Sequence, residues 1–262
     1  MKLYVATFVA LVFLFGVFAI FNASIFKRTS LVVLNNSQSK KIQNKHLNIF
    51  PQKGIYSTVW TVRAKGINDL IKIADETEIN SIVIDVKDNG VYIDDYLKNL
   101  VSELHNKNIY AIARIIVFQD SSQINSHPNW YFKKNDGAFW RDNRGWYWLD
   151  PSNQETWQYN VAIAKQAIDT GFDEINFDYI RYPAFVKDED VNFPASVETS
   201  AGEPPKVIVK SQVINNFAKY LTSELKNYDS DIKLSVDLFA YNMLKNDDLK
   251  IGQNFRELYD YF

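Results

Sequence analysis

The stretch 172-FDEINFDYIRYP-183 decides how the rest of the chain is read. Ile175, Phe177, Tyr179, Ile180 and Tyr182 give it the apolar density of a buried strand. Side chains alternate along a strand, so Glu174, Asn176 and Asp178 share one face of it. Burying a charge without a partner is expensive. A core strand with a carboxylate near its C-terminal end must therefore either pair that carboxylate or use it.

The segments on either side alternate between strand and helix. On the N-terminal side, 54-GIYSTVWT-61, 81-SIVIDVKD-88 and 110-YAIARIIVF-118 have the composition of strands. Between them, Ile67, Leu70, Ile71 and Ala74, and then Leu97, Leu100, Val101 and Leu104, fall at helical spacing. Ser152 and Glu155 form a capping-box pattern ahead of Trp157, Val161, Ala164 and Ile168, and Gly171 is a natural helix stop. On the C-terminal side, residues 184–208 read as a long loop. Ile214, Phe217, Leu221 and Leu225 mark another helix, 233-KLSVDLFA-240 a fifth strand, and Asn254 to Tyr261 a short closing helix. Strands separated by amphipathic helices imply parallel β-α units. Such units build either an open doubly wound sheet or an eight-stranded barrel. The segment after the first strand, Trp60 to Lys65, holds no glycine, which speaks against a dinucleotide fold. The long connections after strands three and four suit a barrel enzyme. The expected fold class is therefore α/β, of the (β/α)8 TIM-barrel type. About five β-α units are legible where eight are needed, so the barrel is expected to be incomplete at the C-terminus.

The other strands repeat the pattern of the fourth. Val83, Asp85 and Lys87 share a face, as do Ser235, Asp237 and Phe239; Arg114 shares one with Ile112, Ile116 and Phe118. The charges sit towards C-terminal strand ends, where parallel α/β folds build their sites. One reading is a structural network in which Arg114 or Lys87 satisfies Asp85 or Asp178. The other is acid/base chemistry, because a purely structural core would more cheaply be apolar.

A second signal is 127-HPNWYFKKNDGAFWRDNRGWYWLD-150, which holds Trp130, Trp140, Trp146 and Trp148 out of six tryptophans in the chain. It reads either as a platform for flat apolar ligand faces or as a self-packed aromatic mini-core. His46, His105 and His127 are scattered, without metal-ligand spacing. Asp85 with Asp88 is a weak alternative for a metal. There is no cysteine and no G-x-S-x-G elbow, and no cofactor is expected. The near-neutral net charge of −2 gives no basic footprint for nucleic acid.

Residues 4–26 form an apolar run long enough to cross a bilayer, flanked by Lys2 and by Lys27-Arg28. Its exit, Asn22-Ala23-Ser24, is a poor cleavage site, so an uncleaved signal anchor is favoured, with a secreted product if cleavage occurs. The domain is expected outside the cytoplasm on a single-pass anchor. The chain divides into an anchor or signal segment, 1–28, a polar tether, 29–52, and one large domain, 53–262.

The series 82-IVIDVKDNG-90, 109-IYAIARIIVFQD-120, 127-HPNW-130, 148-WLDP-151, 159-YNVAIAKQAIDTGFDEINFDYIRYP-183 and 235-SVDLFAY-241 resembles a bacterial family of glycoside hydrolase domains of unknown function. That family is related to α-amylase-like barrels, and the likeness runs from about Gly54 to Phe262. It implies a (β/α)8 barrel and a polysaccharide substrate. It also implies a nucleophilic Asp at the end of strand four, the place held by Asp178. Asp237 is then the first choice for acid/base partner and Asp85 the second. Arg114 and Arg181 would keep Asp178 ionised. Arg114, Asn176, Arg181, Trp60, Trp130, Trp140, Trp148 and Tyr179 are the candidate substrate contacts. Retention needs two carboxylates about 5 Å apart and inversion about 6.5–9.5 Å. The alternatives are a non-catalytic carbohydrate-binding or scaffolding barrel, and a metal-assisted hydrolase or lyase.

Overall fold

The strands run Gly54–Ser57 (β1), Ser81–Lys87 (β2), Tyr110–Ile116 (β3), Glu174–Asp178 (β4) and Lys233–Val236 (β5). They form one sheet in the order β1-β2-β3-β4-β5, with every pair parallel. The computed structural model describes residues 46–47, 49, 51–184, 191, 209–244 and 250–262. The predicted anchor, most of the tether and most of the loop after strand four lie outside these residues. Among the described residues no helix is long and apolar enough to cross a membrane.

The connecting helices are Gly66–Glu76 (α2), Asp95–Asn106 (α3), Gln154–Thr170 (α4) and Lys210–Tyr228 (α5). Short turns of helix occupy Val59–Val62 (α1), Tyr241–Leu244 (α6) and Phe255–Leu258 (α7). A strand order without reversal decides between the two topologies. Right-handed crossovers that always step to the next strand place every crossover helix on the same face, as in a barrel. A doubly wound sheet reverses its order and is covered on both faces.

Alternation explains the core. Ile82, Ile84, Ala111, Ala113, Ile115, Ile175 and Phe177 point to the helix side and are fully buried. They meet Ile67 and Ile71 of α2, Leu97, Val101 and Leu104 of α3, Val161, Ala164 and Ile168 of α4, and Phe217 and Leu221 of α5 in one cluster. Each large side chain so buried contributes about 1.5–3 kcal/mol. The expected Gly171 stop is present, in the left-handed region at φ 106°. The cap at the other end of α4 is Asn153 rather than Ser152. Asn153 accepts from the Glu155 N–H, while Ser152 bonds to Asp150.

Two expected face assignments are corrected. β2 changes register between Asp85 and Lys87: Asp85 lies opposite Arg114, but Lys87 lies opposite Ile115. This bulge turns Lys87 onto the helix side, away from Asp85. There its ammonium meets Asp120 at 2.9 Å and donates to the carbonyls of Ile116 and Val117. Phe118 also leaves the Arg114 face. It lies beyond the end of β3 and packs on Phe217 of α5.

Candidate active site

The other face of the sheet is polar, and register stacks it in layers. Tyr56, Val83, Ile112, Glu174 and Lys233 are aligned across the five strands. Asp85, Arg114, Asn176 and Ser235 form the next layer. Ile116 and Asp178 lie above it, at the C-terminal end.

Arg114 is the centre. One guanidinium nitrogen donates to Asp85 at 2.7 Å, a second to Asp178, and Nε lies 3.8 Å from Asp237. Burial alone would lower its pKa, but the hydrogen bond to Asp85 and the charge of Asp178 outweigh burial and raise it. A planar fork is the side chain suited to hold several carboxylates at fixed angles. Asp85 is only 1% exposed, and both its oxygens are engaged. Arg114 takes Oδ1 and the Tyr56 hydroxyl donates to Oδ2 at 2.5 Å. Burial and this contact push the Tyr56 hydroxyl up to about 12. Asp85 therefore orients the guanidinium, with each of its oxygens already in one hydrogen bond. Among the described residues, no group of three or more metal-ligating side chains is assembled.

Asp178 is held at the strand end by Arg114 and by the Tyr179 N–H, 2.6 Å from its Oδ1. Tyr179 has φ 57°, a left-handed conformation that is uncommon for an aromatic residue. Strain of this kind clusters at functional sites. Asp237 follows β5, and its side chain is 52% exposed against 23% for Asp178. Its Oδ1 accepts from Asn176 at 3.2 Å. Burial and the neighbouring Asp178 push its carboxyl above the ordinary range, against the pull of Asn176 and Arg114. Beneath, Glu174 accepts from Ser235 at 2.5 Å and from Tyr110 at 3.2 Å, and Asn176 also donates to Ser235. Tyr110, Glu174 and Ser235 had given no sequence signal beyond period-2 alternation.

The remaining candidates divide. Arg181 forms no ion pair with Asp178. Its guanidinium lies against the rings of Trp148, Tyr179 and Phe239 at 4.8–5.0 Å, and burial lowers its pKa. Trp148 is buried, with its indole N–H on Asp142, and Trp130 is buried against His127 and Glu155. Trp140 packs partly on the core. The aromatic segment thus consumes most of its own rings. Trp60, in α1 beyond β1, is 65% exposed and stands edge-on to Tyr92. An open depression of about 520 Å³ lies between α2 and α3, lined by Arg63, Tyr96, Asn99 and Glu103, and none of the sheet carboxylates reaches it.

Comparison with known proteins places this geometry in context. Residues 54–262 match a family model described as "putative glycosyl hydrolase domain". A hypothetical protein from Ruminiclostridium thermocellum is 31% identical. The match covers 70% of this chain and 96% of that one, with a TM-score of 0.57. The α-galactosidase TtGalA of Thermus thermophilus is 17% identical, over 72% of this chain and 39% of that one, with a TM-score of 0.48. The GH36 α-galactosidase AgaA of Geobacillus stearothermophilus is 13% identical, over 71% and 28%, with a TM-score of 0.49. The chain thus spans well under half the length of either galactosidase. None of the curated proteins matches the chain.

Proposed function

Since this chain belongs to the glycosyl hydrolase domain family that its residues 54–262 match, we propose that it cleaves glycosidic bonds with Asp178 and Asp237. The observation that carries the reading is the single guanidinium of Arg114, which touches Asp178 and lies beside Asp237. Two-carboxylate chemistry needs one ionised group and one that holds a proton near neutral pH. Arg114 supplies a positive charge to Asp178. Asp237 is more exposed and its carboxyl is pushed upwards, which suits the acid/base role. Asp85, bonded to Arg114 and Tyr56, is assigned to positioning the guanidinium.

The substrate is a polysaccharide of the envelope or the cell exterior. The apolar run of residues 4–26 supports a tethered domain outside the cytoplasm. The consecutive strand order supports a sheet of (β/α)8 type whose polar face is the barrel interior. Asn176, Tyr179 and Trp60 are the substrate contacts best supported by position.

The test is release of reducing ends from a panel of envelope glycans and exopolysaccharides, with wild type beside Asp178→Asn. Release by wild type alone is the expected result. Binding without release by either protein would favour a carbohydrate-binding barrel instead.

A further inference from the structure

Between β3 and α4, residues 131–149 make a flap that carries four cations and two carboxylates. Lys133, Lys134, Arg141 and Arg144 all lie exposed on it, in a chain of net charge −2. Among the described residues, none of the four is in an ion pair. The two acidic residues of the flap, exposed Asp136 and half-buried Asp142, accept N–H groups of its own turns. Asp136 accepts the Ala138 N–H. Asp142 accepts from Gln119, the Trp148 indole and the backbone N–H groups of Arg144 and Trp146. Two of the cations lie over rings, Arg141 4.4 Å over Tyr147 and Lys133 5.7 Å over Phe139. Trp146 remains 40% exposed among them.

The flap is rooted beside the reacting carboxylate. Leu149 N–H bonds to Phe118 at the end of β3, and Trp148 packs 5.7 Å from Tyr179, the residue after Asp178. Unpaired cations attract an anionic polymer and raise its local concentration. An exposed indole face suits the C–H face of a sugar ring. We infer that the flap binds an anionic glycan, carboxylated or phosphorylated, and feeds it to the site. This inference rests on the glycosidase reading and specifies its substrate class. A lipid surface would use the same charges and the same indole; the root of the flap beside a strand-end carboxylate favours a glycan.

The experiment is affinity electrophoresis of the full-length chain in detergent. The gels contain polygalacturonate or hyaluronate, each against its neutral methyl ester. Wild type should be retarded by the charged polymers and not by the esters, and Lys134→Glu with Arg144→Glu should abolish the retardation. Equal retardation by charged and neutral forms, or by neither, overturns the inference, as does retardation that survives the double reversal. Retention on phosphatidylglycerol vesicles alone overturns it in favour of a membrane contact. Asp178-dependent cleavage of a neutral glycan, unchanged by the reversals, would sink the anionic class and leave the glycosidase standing. Flap-dependent retardation with no cleavage of any polymer would do the converse.

Discussion

A carboxyl that donates a proton near neutral pH must hold it above the ordinary carboxylate range. Asp237 is displaced in that direction by burial and by Asp178. In the proposed acid/base role its acid form is the active one, so activity should fall as pH rises through its folded pKa, and this alkaline limb should lie above the ordinary Asp range. Asp237→Asn should lower kcat by roughly 10²–10⁴-fold and remove the alkaline limb, read from the pH profile. Arg114→Met tests the centre through two readouts. It leaves the buried Asp85 carboxylate without its cation, at a cost of about 3–5 kcal/mol in denaturant unfolding. It also frees Asp237 from a nearby positive charge, so any residual activity should keep its alkaline limb to higher pH. Alternation alone put Asp85, Arg114 and Asp178 on inward faces, since a two-residue period needs no tertiary knowledge. The pairing of Arg114 with two carboxylates at once was not legible, because it depends on register between strands far apart in sequence. The burial of Trp130 and Trp148 was hidden for a similar reason. Composition shows a cluster of rings and does not show which faces they turn on one another.

Elements can defeat the same alternation. β2 reads as an unbroken strand, yet its bulge moves Lys87 to the helix side. One extra residue inverts everything after it, and no local composition marks its place. The result is a fully buried ion pair, Lys87 with Asp120, in which the ammonium has three acceptors. Burial lowers the Lys87 pKa; for Asp120, burial acts upwards but the Lys87 charge prevails and lowers it. Asp120 also accepts the Ser122 N–H and the Tyr159 hydroxyl. The pair therefore ties the ends of β2 and β3 to the start of the long loop and to α4. Lys87→Met should destabilise by about 3–5 kcal/mol, because a buried carboxylate loses its cation. Adding Asp120→Asn should return part of that loss, since the amide oxygen still accepts from Ser122. A chemical denaturation series on the two variants would check both. If Lys87→Met unfolds at the wild-type midpoint, the pair is not holding the strand ends.

At the scale of the whole molecule, the two ends of the sheet do different work. The carboxylates proposed to react gather at the C-terminal ends of the strands, while the opposite end fastens the incoming chain. Alternation alone does not separate a barrel-type from a doubly wound sheet, since the two differ in strand order; the glycine-free segment after β1 and the long loops after strands three and four are what favour the barrel. The order places all crossover helices on one side and leaves the polar face to the site. The base is less expected. His46 and Leu47 fall in the stretch read as tether, yet the Leu47 N–H donates to fully buried Asp173 at 2.7 Å and His46 meets Asp229 at 3.1 Å. Lys53 N–H and the Pro51 carbonyl both bond to Asn80. A chain begun at Gly54 would keep every strand and every candidate catalytic group. It would leave Asp173 one donor short and Asp229 without its imidazole. Each buried group left unsatisfied costs about 1–3 kcal/mol, so the shorter chain should melt lower than one begun at Asn44. Its kcat/KM should be nearly unchanged, because the residues removed do not touch Asp178 or Asp237. Burial acts to raise the Asp229 pKa, but the His46 bond and the backbone N–H groups of Asp231 and Ile232 prevail and hold the carboxyl below its ordinary value. A depressed carboxyl contributes stability above its unfolded pKa and loses it as pH falls through the folded one. The difference in melting temperature between the two chains should therefore persist above the ordinary Asp range and shrink as pH falls through and below it. If it does not shrink below the ordinary Asp range, the ionised Asp229 is not what fastens the segment.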